Sequence, residues 1–173
     1  MRKARDVSSS DASTKITSAT SASSTASAAG SAAAAPAPLP DPRGAGPYRV
    51  VMVCTGNICR SAMAEIVLRD RLAAAGIPDS GPGGVTVTSA GVSDEERGNP
   101  IDSRARRVLT EAGYGVGADD VSRATGIAIA SHTAHRVTDA EITEADLLLA
   151  MTDSHWNVLQ RRAGGLGAEP DRI

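Results

Sequence analysis

The stretch "VVMVCTGNICRSAMAE", residues 50–65, decides how the rest of the chain is read. A β-branched apolar run, "YRVVMVC" (48–54), breaks on a cysteine, turns through Thr-Gly-Asn-Ile and resumes from Ser61 with helical spacing. A short apolar run bounded by a Gly/Pro cluster on one side and a Gly-Asn turn on the other predicts a buried strand. In "SAMAEIVLRDRLAAAG" (61–76), Met63, Ile66 and Val67 mark an apolar side, and Leu68, Leu72 and Ala75 extend it. Gly76 and Pro78 end that helix. The protein has two cysteines, Cys54 and Cys59, and both fall in the loop between strand and helix.

Outward from this unit, "VTVTSAG" (85–91) alternates and then stops on small residues, which predicts a second strand. "DSRARRVLTEAG" (102–113) places Ala105, Val108, Leu109 and Ala112 on one helical face, with Asp102 as N-cap and Gly113 as stop. Residues 115–130 are rich in Gly and Ala and read as a long connection. Thr138 and Glu141 have capping-box spacing for a short helix. "LLLAM" (147–151) is a continuous apolar strand, and "TDSHWNVLQRR" (152–162) opens another helix. Strands alternating with helices predict an α/β fold, a small parallel sheet covered on both faces. In such sheets ligands bind beyond the carboxyl ends of the strands, the edge on which the cysteine loop lies.

The 173 residues suit one ordinary domain. A formal charge of −2 with mixed signs gives no footprint for nucleic acid, and no apolar run approaches the ~18 residues of a membrane span. Two cysteines five positions apart make a poor disulfide framework and point to a reducing, cytoplasmic setting. Residues 1–46 are rich in Ser, Ala, Thr and Pro with little to bury, so a disordered tail is expected there, followed by a domain over 47–173. The basic start "MRKAR" also fits a transit peptide, which Asp6, Asp11 and the prolines oppose.

The order cysteine, Gly-Asn turn, arginine, serine, helix suits a particular chemistry. Residues Thr55, Gly56, Asn57, Ile58, Cys59, Arg60 and Ser61 can aim backbone N–H groups inward as an anion-binding nest. The helix that follows adds its unsatisfied N–H groups and positive end, so phosphate fits there. Arg60 offers a planar fork for two phosphate oxygens. The same dipoles and Arg60 would lower the pKa of Cys54 and ready a thiolate for attack on phosphorus, with Ser61 placed to donate a hydrogen bond to it. Alone, a strand-end cysteine is most often an inert buried residue. Zinc fails for want of further ligands at suitable spacing, and a nucleotide P-loop fails because no G-K-[ST] follows. No metal and no cofactor are expected.

"VCTGNICRSAMAE" (53–65) resembles the signature loop of the low-molecular-weight protein tyrosine phosphatases, approximately V-C-x-G-N-x-C-R-S-P-x-A-E. The resemblance continues through "SAG" (89–91), "GNPIDSRA" (98–105), "SHTAHRVT" (131–138) and "EADLLLAM" (144–151). It implies a three-layer, flavodoxin-like sandwich and a phosphomonoesterase acting on phosphorylated proteins through a cysteinyl-phosphate. It implies Cys54 as nucleophile, Arg60 as phosphate ligand, and Asn57, Ser61, Ser89 and His132 as the polar network that holds the loop. It also implies that Cys59 can pair reversibly with Cys54 under oxidation. His135 and His155 read as ordinary surface residues.

The chain departs from the family at four places. Ala62 replaces a proline, and Glu95 aligns where many members carry an aromatic side chain beside the pocket. Relatives that act on phosphoarginine share Cys-Thr-Gly-Asn but carry Thr where this chain has Ile58. The family's general acid, an Asp in D-P-[YFW], is expected beyond Ile173; Asp171 sits where a last strand would begin, and a chain lacking its C-terminal part is the expectation. Three functions remain open: a tyrosine phosphatase, an arginine phosphatase, and an inactive phosphate-binding module. An arsenate reductase needs further cysteines, which the chain does not have.

Overall fold

A computed structural model describes residues 38–173. Residues 1–37 of the expected tail lie outside the described residues. Residues 38–46 have no regular structure but run against the domain: Arg43 Nε donates to Ala145 O at 2.9 Å, and Tyr48 Oη donates to Pro40 O at 3.1 Å.

Three strands form a parallel sheet in the order β2-β1-β3, with β1 at Tyr48–Cys54, β2 at Val85–Gly91 and β3 at Leu147–Ala150. The central strand is buried on both faces from Val50 onward, which explains its unbroken apolar run. Val50 and Met52 face one way and pack with Val87 under Ala64, Leu68 and Leu72 of α1 (Arg60–Ala74). Val51 and Val53 face the other way, against Ile142 of α4 (Asp139–Glu144) and Leu159 and Ala163 of α5 (Asp153–Leu166). The helix α1 buries a second side as well. Ala62 and Ile66 meet Ala105 and Leu109 of α2 (Ser103–Glu111) and Ile129 of α3 (Asp120–Ser131). Helices thus cover both faces of the sheet, as alternating elements require.

The caps read from sequence are in place. Asp102 accepts from Arg104 and Ala105 N–H, and Thr138 and Glu141 form a reciprocal capping box. One expectation is overturned. Residues 115–130 are not a connection, because α3 occupies Asp120–Ser131. Its cap is Asp119, which accepts from Ser122 N–H, and its buried side is Thr125 and Ile129, one turn apart. Gly126 sits in mid-helix because a Cβ there would lie 3.3 Å from Gly115 O. The helix approaches a neighbouring loop closely enough to favour glycine, a residue that weakens the helical pattern. Near the end, Pro170–Arg172 form a 3-10 turn where a strand start was expected.

The chain leaves β1 through α1 to β2 on one side, and later returns to β3 on the other. This makes the carboxyl end of β1 the switch point of the sheet, where a crevice opens. No helix among the described residues is long and apolar enough to cross a membrane.

Candidate active site

The loop Thr55–Cys59 sits at that switch point, and its carbonyls are drawn outward by its surroundings. Cys54 O accepts from Val92 N–H at 2.9 Å and Thr55 O from Ser93 N–H at 3.0 Å. Asn57 O accepts from His132 Nε2 at 2.7 Å and Ile58 O from Asp102 N–H at 2.8 Å. Because a peptide's carbonyl and N–H point in opposite directions, this pattern turns the N–H groups toward the inside of the loop. The N–H groups of Gly56 to Ser61 have no acceptor among the described residues, and Cys59 supplies no side-chain cap to α1. Unsatisfied donors at a helix N-terminus attract anions.

Asn57 holds the turn. It is fully buried and has φ of 61°, the left-handed region that few residues other than glycine accept. Both amide protons and the amide oxygen are engaged: Nδ2 donates to Ser89 Oγ at 2.8 Å and to Ser61 Oγ at 3.1 Å, and Oδ1 accepts from His135 N–H at 3.1 Å. Ser89 in turn donates to Glu65 Oε2 at 2.6 Å. The four residues expected to form a network, Asn57, Ser61, Ser89 and His132, are therefore brought together.

Cys54 is buried at the base, with Sγ 3.0 Å from Ser61 Oγ. Ser61 also faces Ala90 O at 3.3 Å, so its single proton has two acceptors. With a thiol, Cys54 donates to Ser61 and Ser61 donates to Ala90. With a thiolate, the serine proton turns to sulfur. The residue can follow the charge on Cys54 without moving its oxygen. Arg60 stands exposed at the rim and its Nη2 donates to Thr55 Oγ1 at 3.4 Å. Cys59 is exposed, and Ile58 and Cys59 border a groove of about 340 Å³ walled by Met63 and Val108 and edged by Asp102 and Arg104.

Of the two histidines read as ordinary surface residues, His155 was misplaced, whereas His135 keeps part of its side chain in solvent. His155 is 3 % exposed, and its Nε2 meets Thr55 Oγ1 at 2.9 Å. Burial, and then the charge of Arg60, hold its pKa below the ordinary imidazole value. His135 is half-buried and pairs with Glu141 at 2.9 Å, which raises its pKa. The alignment also singled out Glu95, which is exposed; its neighbour Glu96 covers the loop, with Cγ 2.8 Å from where a Cβ on Gly56 would stand. Gly91 was missed too. A Cβ there would lie 2.5 Å from Thr55 O, so only glycine lets β2 support the loop so closely. "SAG" carried that signal. Asp171 adjoins Arg172, which binds Asp146 O at the start of β3, the opposite end of the sheet from Cys54. Among the described residues no three His, Cys, Asp or Glu side chains cluster as metal ligands would.

Residues 49–169 match the sequence profile described as low molecular weight phosphotyrosine protein phosphatase. The chain is 35% identical over 116 residues to the low molecular weight protein-tyrosine-phosphatase of Streptomyces coelicolor, covering 67% of this chain and 60% of that one. It is 36% identical over 127 residues to low molecular weight protein-tyrosine phosphatase A of Mycobacterium tuberculosis, covering 73% and 64%. The crystal structure of YfkJ from Bacillus subtilis superposes with a TM-score of 0.57 at 28% identity, over 71% of this chain and 66% of that one. The chain thus spans less than two thirds of the length of each of these relatives.

Proposed function

Because the chain belongs to the low molecular weight phosphotyrosine protein phosphatase family, we propose that it hydrolyses phosphotyrosine in proteins through a cysteinyl-phosphate intermediate. The inward N–H groups of Gly56 to Ser61 and the Arg60 guanidinium bind the phosphoryl oxygens and gather the charge that builds on them. Cys54 Sγ attacks phosphorus in line, the ester P–O bond breaks, and the departing phenoxide takes its proton from water. Water then attacks the phosphocysteine, phosphate leaves, and the serine proton of Ser61 stabilises the returning sulfur anion. The reaction as written uses no metal or cofactor. Phosphorylated proteins are the proposed partners, and the cytoplasm is the proposed setting.

One observation carries this reading: a row of N–H donors without acceptors among the described residues, closed around the strand end that presents Cys54. Ile58 favours an aryl ester over a phosphoguanidinium, since it gives the adjoining groove an apolar wall. Thr55 leans toward phosphoarginine, so both substrates belong in the assay. With p-nitrophenyl phosphate, the expected result is a burst of p-nitrophenol stoichiometric with protein, absent from Cys54→Ser. Phosphate binding without any burst would instead support an inactive phosphate-binding module.

A further inference from the structure

His155 reaches the loop from α5, 100 residues along the chain from Thr55. Its Nδ1 is buried with no hydrogen-bond partner among the described residues, while its Nε2 lies 2.9 Å from Thr55 Oγ1. Burial, and next the charge of Arg60, favour the neutral ring, which carries one N–H. An orphaned buried N–H is rarer than an unpaired acceptor, so that proton belongs on Nε2 and is donated to Thr55. Arg60 Nη2 donates to the same oxygen at 3.4 Å. A hydroxyl has two lone pairs and one proton. With both lone pairs engaged, Thr55 can only donate, and it stands exposed on the loop. In the opposite tautomer Nε2 would accept a hydrogen bond from the threonine hydroxyl, which would turn oxygen lone pairs toward an anion.

We propose that His155 is a positioning residue: it fixes Thr55 as a hydrogen-bond donor to the bound phosphoryl group, alongside the backbone amides and Arg60. This rests on the phosphatase reading of the loop. A side-chain hydroxyl held this way tightens binding of the phosphoryl group whatever the leaving group is.

The test is orthovanadate affinity, read as protection of Cys54 from iodoacetamide by peptide mass spectrometry. Thr55→Val and His155→Leu should each weaken binding roughly tenfold or more, the cost of losing a hydrogen bond to a charged group. The double variant should be no weaker than either single one. His155→Gln, whose amide nitrogen can stand where Nε2 stood, should remain near wild type. His155→Asn, too short to reach Thr55, should behave like His155→Leu and replaces it if the leucine variant does not fold. A His155→Gln variant as weak as His155→Leu, or additive effects in the double variant, would show a merely structural histidine and overturn the inference. Wild type that binds orthovanadate, with His155 variants that bind equally, overturns the inference alone. Wild type that does not bind overturns the phosphatase reading as well.

Discussion

At the scale of single residues, Asn57 bears two separate demands. It must accept a left-handed backbone, and it must satisfy two serines and a backbone N–H inside the protein. The demands can be separated by substitution. Asn57→Ala meets neither, so it should lose about 2–4 kcal/mol of stability, from the strained φ and the unpaired buried groups. Asn57→Gly meets the backbone demand alone and should recover about 1 kcal/mol of that. Urea unfolding of the two variants reads the difference; equal losses would mean that the backbone carries no strain. The turn was legible because a Gly-Asn pair after a strand has few other uses. The role of His155 was not legible. Nothing in "TDSHW" distinguishes a histidine that points to solvent from one that closes on a threonine 100 residues earlier.

At the scale of elements, the capping box of α4 links the titration of one pair to the loop. Glu141 accepts from Thr138 and His135, and the backbone N–H of His135 donates to Asn57. The Glu141 hydrogen bond raises the pKa of His135, with burial opposing. Burial would raise that of Glu141, but the bonds from His135 and Thr138 prevail and lower it. The two signs define a window. The raised histidine contributes fully below its ordinary value of 6.5 and loses that contribution as pH climbs through its folded value. The lowered glutamate contributes above its ordinary value of 4.5 and loses it as pH falls through its folded value. The pair is therefore strongest between about pH 4.5 and 6.5. Since His135 is substantially exposed, screening keeps its share to at most about 1 kcal/mol. Melting from pH 6 to 9 should show wild type losing that amount while Glu141→Gln stays flat; parallel curves would refute the coupling. This short helix was readable because a capping box is a local signal. By contrast α3 was hidden, since its packing surface is small and Gly126 answers to Gly115, a contact that composition registers only as flexibility.

At the scale of the whole molecule, the strand order β2-β1-β3 explains both where the site lies and where the fold is exposed. A central β1 puts Cys54 at the switch point; alternating strands and helices foretold the carboxyl edge of the sheet, and the strand order came from the structure. Among the described residues the same order leaves β3 paired on one side only. The α1 helix covers β1 and β2 on its face of the sheet, and on β3 Leu149 is 38 % exposed, whereas Leu148 on the opposite face is buried beneath α4 and α5. Trp156, 43 % exposed, lies early in α5, the helix that follows β3. A short apolar edge strand is a template for pairing with another chain, and a formal net charge of −2 offers little repulsion against it. The 173-residue chain should therefore associate with rising concentration, and a charge placed on the open edge should suppress this. Leu149→Lys is expected to hold the protein monodisperse in light scattering where wild type grows, with stability changed by no more than about 0.5 kcal/mol because the side chain is already partly in water. It should leave the p-nitrophenol burst intact, since Leu149 ends short of the loop that Cys54 begins. If Leu149→Lys associates as readily as wild type, the edge of β3 is not the surface through which copies meet, and attention passes to the exposed apolar side chains of Val108 on α2 and Ile127 on α3.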